Sequence, residues 1–379
     1  MGGDERLARR TDSRARDVDA CPGALSLHRA ADGSLARIRL PGGAITPAQL
    51  QALARAAKAF GSPDIELTSR GNIQIRAITD EAAVAQAVAA AGLLPSATHE
   101  KVRNIVASPL SGRVGDHPEV RAWVAELDAA IQASPVLASV GGRFWFGIDD
   151  GRGDVSGLAP DVGVHVLGDS VALLLAGRDT GVRLPCAETV TTLVAVAARF
   201  AAVRGKAWRV SELDGVSPLI DALPVSAERG ATWPPAMRPP VGWLVQNDGR
   251  VALGAAVALG VLAAGTADSL AAIEAPMVVT PWRSVLVCDL DEAVADTALR
   301  VLAPTGLVFD ENSPWLSVSA CTGSPGCEHS RADVRADAAN ALEFGGAHRH
   351  YVGCERACGS RPGDDVLVAT GDGYRRLPS

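Results

Sequence analysis

The sequence predicts an α/β (α+β) protein built as a pseudo-two-fold repeat whose second copy is cut short. Three observations carry this. A strand–turn–strand–helix pattern recurs about 212 residues on, with Thr68 answered by Thr280. The 379 residues need more than one core. Four of the seven cysteines fall between positions 321 and 358. With 47% hydrophobic and 21% charged residues the chain has the balance of a globular protein, which excludes disorder. A net charge of −7 argues against a general nucleic-acid binder. Only Lys58, Lys101 and Lys206 are lysines, so nearly all positive charge is guanidinium.

Residues 1–20, rich in arginine and aspartate, read as a disordered arm without the apolar core of a signal peptide. The first repeated unit is expected over 21–95. There Asp32-Gly33 forms a turn into a strand at Leu35–Leu40, followed by a glycine loop and a helix. Asp64–Arg76 then reads as two strands around a turn at Arg70-Gly71. Asp80-Glu-Ala opens a helix with the acidic residues a helix start favours, and Gly92-Leu93 ends it. A second segment is expected over 96–230. It holds Arg103-Asn104, an amphipathic helix (Val120, Trp123, Leu127, Ile131), strands near Phe144–Ile148, Val162–Val166 and Val171–Leu175, and an apolar helix from about 188 to 203.

A proline-rich linker at 231–240 separates the copies. The second copy spans 241–308, where Met277–Cys288 repeats the strand pair and Asp291-Glu-Ala opens the matching helix. Residues 309–379 form its shortened second segment, in which Val318 answers Val106. The uncharged run Val251–Ala267 contains three glycines. It reads as a strand, a loop and a helix start rather than a membrane span. The expected location is the cytoplasm, where clustered cysteines hold metal more often than they form disulfides.

The four clustered cysteines give C-x5-C-x26-C-x3-C: Cys321, Cys327, Cys354 and Cys358. Four thiolates are the usual ligands of a [4Fe–4S] cluster, and the first pair is wider than zinc pairs usually are. Glycines at 323, 326, 353 and 359 would let backbone N–H groups approach the sulfurs. Cys21, Cys186 and Cys288 stand alone and read as small apolar residues. Asp149 and Asp150 read as turn residues or as carboxylates for iron or proton transfer. His348 and His350 share one face of a strand before Cys354, where a surface role competes with iron or macrocycle binding.

This cysteine spacing, the repeat, Thr68-Ser-Arg-Gly-Asn-Ile-Gln-Ile-Arg76 and Arg103-Asn104 together resemble the sulfite and nitrite reductase superfamily. The resemblance runs from about residue 22 to the end. It implies ferredoxin-like half-domains plus sirohaem/[4Fe–4S]-type reductase domains, with the tetrapyrrole beside the cluster. Those reductases carry a lysine pair that protonates the bound anion. In Gly141-Gly-Arg-Phe-Trp-Phe-Gly147 the matching positions are Arg143 and Trp145. That departure and the short ending after Gly353-Cys-Glu-Arg-Ala-Cys-Gly359 are similar to the precorrin-3B synthase branch.

That branch implies an oxygen-dependent monooxygenase of aerobic cobalamin biosynthesis. It hydroxylates precorrin-3A at C20 and closes a γ-lactone, with sirohaem not expected. Besides the [4Fe–4S] cluster, family members are associated with a mononuclear non-haem iron. NADH is implied as an indirect electron source, acting through a separate reductase, since no G-x-G-x-x-G follows a strand here. The resemblance assigns Arg70, Arg76, Arg103 and Arg143 to the substrate's carboxylates, with Arg152 and Arg356 as weaker candidates. The catalytic residue is left open, with Asp150 and His350 as candidates. Precorrin-3A and O2 are the implied partners, with neither nucleic acid nor membrane. Two other readings remain at this stage: a sirohaem-dependent sulfite or nitrite reductase, and a non-catalytic iron–sulfur electron-transfer subunit.

Overall fold

A computed structural model describes residues 19–343 and 347–378. The expected arm lies outside the described residues up to position 18. Asp19 is described, and its carboxylate accepts a hydrogen bond from the Gly142 N–H at 2.7 Å. The chain forms two compact units. Among the described residues, one comprises 22–95, 113–115, 237–343 and 347–378, and the other 19–21, 96–112 and 116–236.

The first repeated unit runs β1 (His28–Ala30), β2 (Gly33–Ile38), β3 (Ala44–Ile45), α1 (Pro47–Phe60), β4 (Asp64–Leu67), β5 (Ile73–Ile78) and α2 (Glu81–Ala90). A capping box starts α1: the Thr46 hydroxyl accepts from the Gln49 N–H, and the Gln49 side chain accepts from the Thr46 N–H. Leu50, Leu53, Ala54 and Ala57 recur at helical spacing and are buried. Asp80 caps α2 by accepting from the Ala83 N–H at 3.0 Å. In β5, Ile73 and Ile75 face the core while Gln74 and Arg76 face away from it.

The other unit supplies β6 (Ile105–Ala107), α3 (Arg121–Gln132), β7 (Phe146–Asp149), β8 (Val162–Leu167), β9 (Ser170–Leu175), β10 (Arg178–Pro185) and α4 (Thr189–Val203). Its sheet has the order β10-β9-β8-β7-β6, with β6, β7 and β8 parallel to one another. The stretch Cys186–Val203 is long and apolar enough to cross a membrane by length and composition. Here Val190, Leu193, Val196 and Phe200 pack into the core of this unit. The proline-rich segment is packed rather than a free spacer. Trp233 lies against the His165 ring at 4.4 Å, and a Cβ on Gly157 would stand 2.3 Å from the Pro234 carbonyl oxygen.

The second copy follows as β11 (Gly242–Val245), β12 (Val251–Val257), β13 (Val261–Ala263), α5 (Ala264–Ala271), β14 (Met277–Val279), β15 (Ser284–Leu290), α6 (Glu292–Leu302) and β16 (Leu307–Val308). The two copies exchange strands. β13 of the second copy pairs with β4 of the first, and β3 of the first pairs with β14 of the second. The sheet orders are therefore β1-β2-β5-β4-β13 and β11-β12-β15-β14-β3. One hydrophobic core draws on both copies, from Leu53 and Ile75 to Leu270 and Val287. Each half covers the other's sheet edge, which would otherwise expose unpaired backbone.

The chain closes with β17 (Val318–Ala320), α7 (Val334–Asn340), β18 (Arg349–Val352), β19 (Asp365–Ala369) and β20 (Tyr374–Arg376). The first three of these strands are parallel to one another, and β20 turns back on β19. Adjacent parallel strands thus follow both repeated units, β6 with β7 and β17 with β18.

Candidate functional site

Cys321 and Cys354 each follow the carboxyl end of a parallel strand, β17 and β18, where open α/β sheets gather ligands. The Cys321 N–H donates to the Tyr351 carbonyl at 2.9 Å, extending the ladder to the first cysteine. All four clustered cysteines are free thiols: Cys321, Cys327 and Cys354 are half-buried and Cys358 is exposed. Burial pushes the Cys321 thiol up, and the sulfurs of Cys327 and Cys354 add to the rise. Against this, the Gly353 N–H donates to Cys321 Sγ at 3.4 Å. Sulfurs that repel one another, with a backbone donor aimed at Cys321, suit a metal group that binds thiolates.

No three of these sulfurs come within 4.8 Å of one another among the described residues. Gly353 cannot carry a side chain, since a Cβ there would lie 1.9 Å from Ser330 Oγ. The cysteine loops are tied down from beneath. Fully buried His350 engages Ser319 Oγ through Nδ1 at 2.7 Å and the Cys358 carbonyl through Nε2 at 3.0 Å. Burial lowers its pKa to about 3, with Arg283 adding to the fall, so the ring is neutral. Arg283 donates to the next carbonyl, that of Gly359, at 2.9 Å.

A cavity of about 350 Å³ opens beside Cys354, and its lining includes His329, Arg331, Glu355, Arg356 and Arg375, with Arg375 paired to Glu355. Arg76 reaches the cysteine loop from β5, donating to the Gly326 carbonyl at 2.8 Å while forking onto Asp32 at 2.8–2.9 Å. Arg70, at the turn between β4 and β5, is half-buried.

Arg103 and Arg143 belong to the other unit. Arg103 is buried in a bidentate pair with Asp128 at 2.6–2.8 Å. Arg143 is exposed, whereas Trp145 is 4% exposed and packs inside. The same unit holds Asp149, Asp150 and Asp154 with carboxylate oxygens within 4.8 Å of one another. Asp149 is a turn organiser: it accepts from the N–H groups of Gly151, Gly153, Val155 and Ser156 at 2.7–3.0 Å. Burial works against its ionisation, but bonds from His165 and these N–H groups bring its pKa down to about 2. Asp150 is fully engaged by Arg152, with the closest contact at 2.7 Å. Burial, with Asp149 close by, pushes Asp154 up to about 7.

The surface reading of His348 and His350 is corrected. Both are buried: His350, on β18 between two parallel neighbours, reaches the Cys358 carbonyl, and His348, just before that strand, faces Asp364. His348 Nδ1 lies 2.9 Å from Asp364. Arg283, Arg361 and Asp364 escaped sequence reasoning. Only the tertiary fold brings Arg283 to the glycine after the last cysteine.

Residues 28–90 match the nitrite/sulfite reductase ferredoxin-like half domain. A precorrin-3B synthase from Sinorhizobium sp. is 28% identical over 94% of this chain and 81% of its own length. The solved structure of the Mycobacterium tuberculosis NirA protein superposes with a TM-score of 0.72 at 19% identity, over 86% of this chain and 69% of that one. The chain thus carries the fold of the NirA protein, with a nitrite/sulfite reductase ferredoxin-like half domain at residues 28–90, and is similar, over nearly its whole length, to a precorrin-3B synthase.

Proposed function

We propose that this chain is an oxidoreductase of the precorrin-3B synthase type. It hydroxylates precorrin-3A at C20 and closes the γ-lactone to give precorrin-3B in aerobic cobalamin biosynthesis. The observation that carries the reading is the arginine-lined cavity opening against Cys354 of the cysteine tetrad. A polycarboxylate macrocycle needs guanidinium groups there, since they grip carboxylates bidentately, whereas a simple electron carrier does not. The name of the Sinorhizobium relative supports the same substrate class.

In this reading Cys321, Cys327, Cys354 and Cys358 hold a [4Fe–4S] cluster, which supplies electrons one at a time. His350 and Arg283 fix the carbonyls of Cys358 and Gly359 and so hold the loop that carries the last two thiolates. Arg70, Arg76, Arg103 and Arg143 are proposed to meet substrate carboxylates; Arg76 and Arg103 would have to share their present partners, Asp32 and Asp128. Trp145 is buried and has no proton to give at neutral pH, which disfavours six-electron reduction of sulfite or nitrite. The overall step consumes precorrin-3A, O2, two electrons and two protons and yields the hydroxylactone and water. NADH is the ultimate donor through a separate cytoplasmic reductase.

The test is anaerobic purification, a spectrum, then addition of precorrin-3A, O2 and reductant. Broad iron–sulfur absorption without a Soret band, followed by a hydroxylactone in the mass spectrum, is expected. A Soret band before substrate would instead indicate a sirohaem reductase, and absence of both binding and product would indicate a carrier. Cys327→Ser should bleach the broad absorption and abolish product.

A further inference from the structure

The second repeat contains a small cavity beside β17 and the turn before β15. Its walls include Ser319, Trp282, Arg283, Trp315, His348 and Arg361. Its volume is about 20 Å³, room for one water or one small ion. The position has a counterpart in the first repeat. Leu259-Gly260 on its wall takes the same two left-handed backbone conformations as Gly42-Gly43, and Trp282-Arg283 occupies the turn that matches Arg70-Gly71.

The charges on this cavity do not balance. Arg361 is 8% exposed, and its Nε and Nη1 are buried without a hydrogen-bond partner; only Nη2 approaches a carboxylate, Asp364, at 3.4 Å. Asp364 is also shared with His348 at 2.9 Å. Arg283 is buried beside these groups and donates to the Gly359 carbonyl. The next charges out, Arg335 and Glu66, pair with each other at 2.5 Å. Two buried guanidinium groups thus face one carboxylate. Burial, with Arg361 close by, draws the Arg283 pKa down to about 10, in keeping with an excess of positive charge.

We propose that this cavity binds a small monovalent inorganic anion of the halide class, held between Arg361 and Arg283. The anion supplies the partner that Arg361 lacks. It also fastens the segment after Cys358, since Arg361 follows that cysteine by three residues and Arg283 holds the carbonyl of Gly359.

Crystals of the full chain grown in sodium bromide should show one anomalous peak between these two guanidinium groups. At a fixed ionic strength of about 0.1 M, the thermal midpoint in sodium chloride should exceed that in sodium gluconate, whose anion is too large to enter, by about 2 °C. Arg361→Gln should abolish both the peak and the difference while keeping the far-UV spectrum. Water alone in the cavity in bromide, or equal midpoints in the two salts, would overturn the proposal. If Arg361→Gln fails to fold, the two measurements on the unmodified chain decide.

Discussion

Asp149 and Asp154 sit five residues apart and illustrate how burial gives one residue type opposite behaviour. Asp149 gathers four backbone N–H groups and ionises readily, whereas Asp154 accepts from the Ser108 hydroxyl at 2.6 Å and resists ionisation. The folded pKa of Asp154, about 7, lies above its unfolded value of 3.8. The folded state therefore binds the extra proton between those values, and stability falls as pH rises through them. Asp154→Asn removes the cost. It should stabilise the chain by roughly 2–4 kcal/mol at about pH 8 and by almost nothing below about pH 4. Parallel urea titrations of the two proteins at both pH values check this. The turn role of Asp149 is legible in Asp149-Asp150-Gly151, because glycine-flanked aspartates form turns locally. The buried state of Asp154, and of His348 and His350, is not. Burial is set by β8, β17 and β19, which lie elsewhere in the sequence.

Among the elements, the long periodic ones are the legible ones. Helices α1, α3 and α4 and the strand pairs β4–β5 and β14–β15 follow from apolar periodicity and turn residues. The exchanged strands β3 and β13 do not, because two or three residues carry no period. They are what joins the repeats into one core. Gly43 ends the turn before β3 with φ +74, and a Cβ there would fall 2.0 Å from the Val279 carbonyl oxygen beside β14. Gly43→Ala should therefore destabilise by about 2 kcal/mol or more. Gly265→Ala is the control: it is exposed in α5 with nothing within 4 Å, and should be neutral or stabilising by about 0.5–1 kcal/mol. Denaturant midpoints of the two variants test the contrast. Equal midpoints would remove the exchange contact from the account.

At the scale of the molecule, the repeat and the cysteine spacing made the fold and the cysteine tetrad readable from sequence. Each leaves a local pattern: matched strand pairs in one case, paired cysteines among glycines in the other. The groups that steady the tetrad were not readable. His350, Arg283 and Arg361 meet the cysteine loops only through β15, β18 and the segment after Cys358. The fold alone also does not choose a reaction. The choice rests on Trp145 inside the core and on arginines beside Cys354. The central claim is that one oxygen atom of O2 enters the macrocycle. Turnover of precorrin-3A under ¹⁸O₂, read by mass spectrometry, tests it most directly. The product should be about two mass units heavier than that formed under ¹⁶O₂; an unlabelled product, with its oxygen drawn from water, would contradict the account.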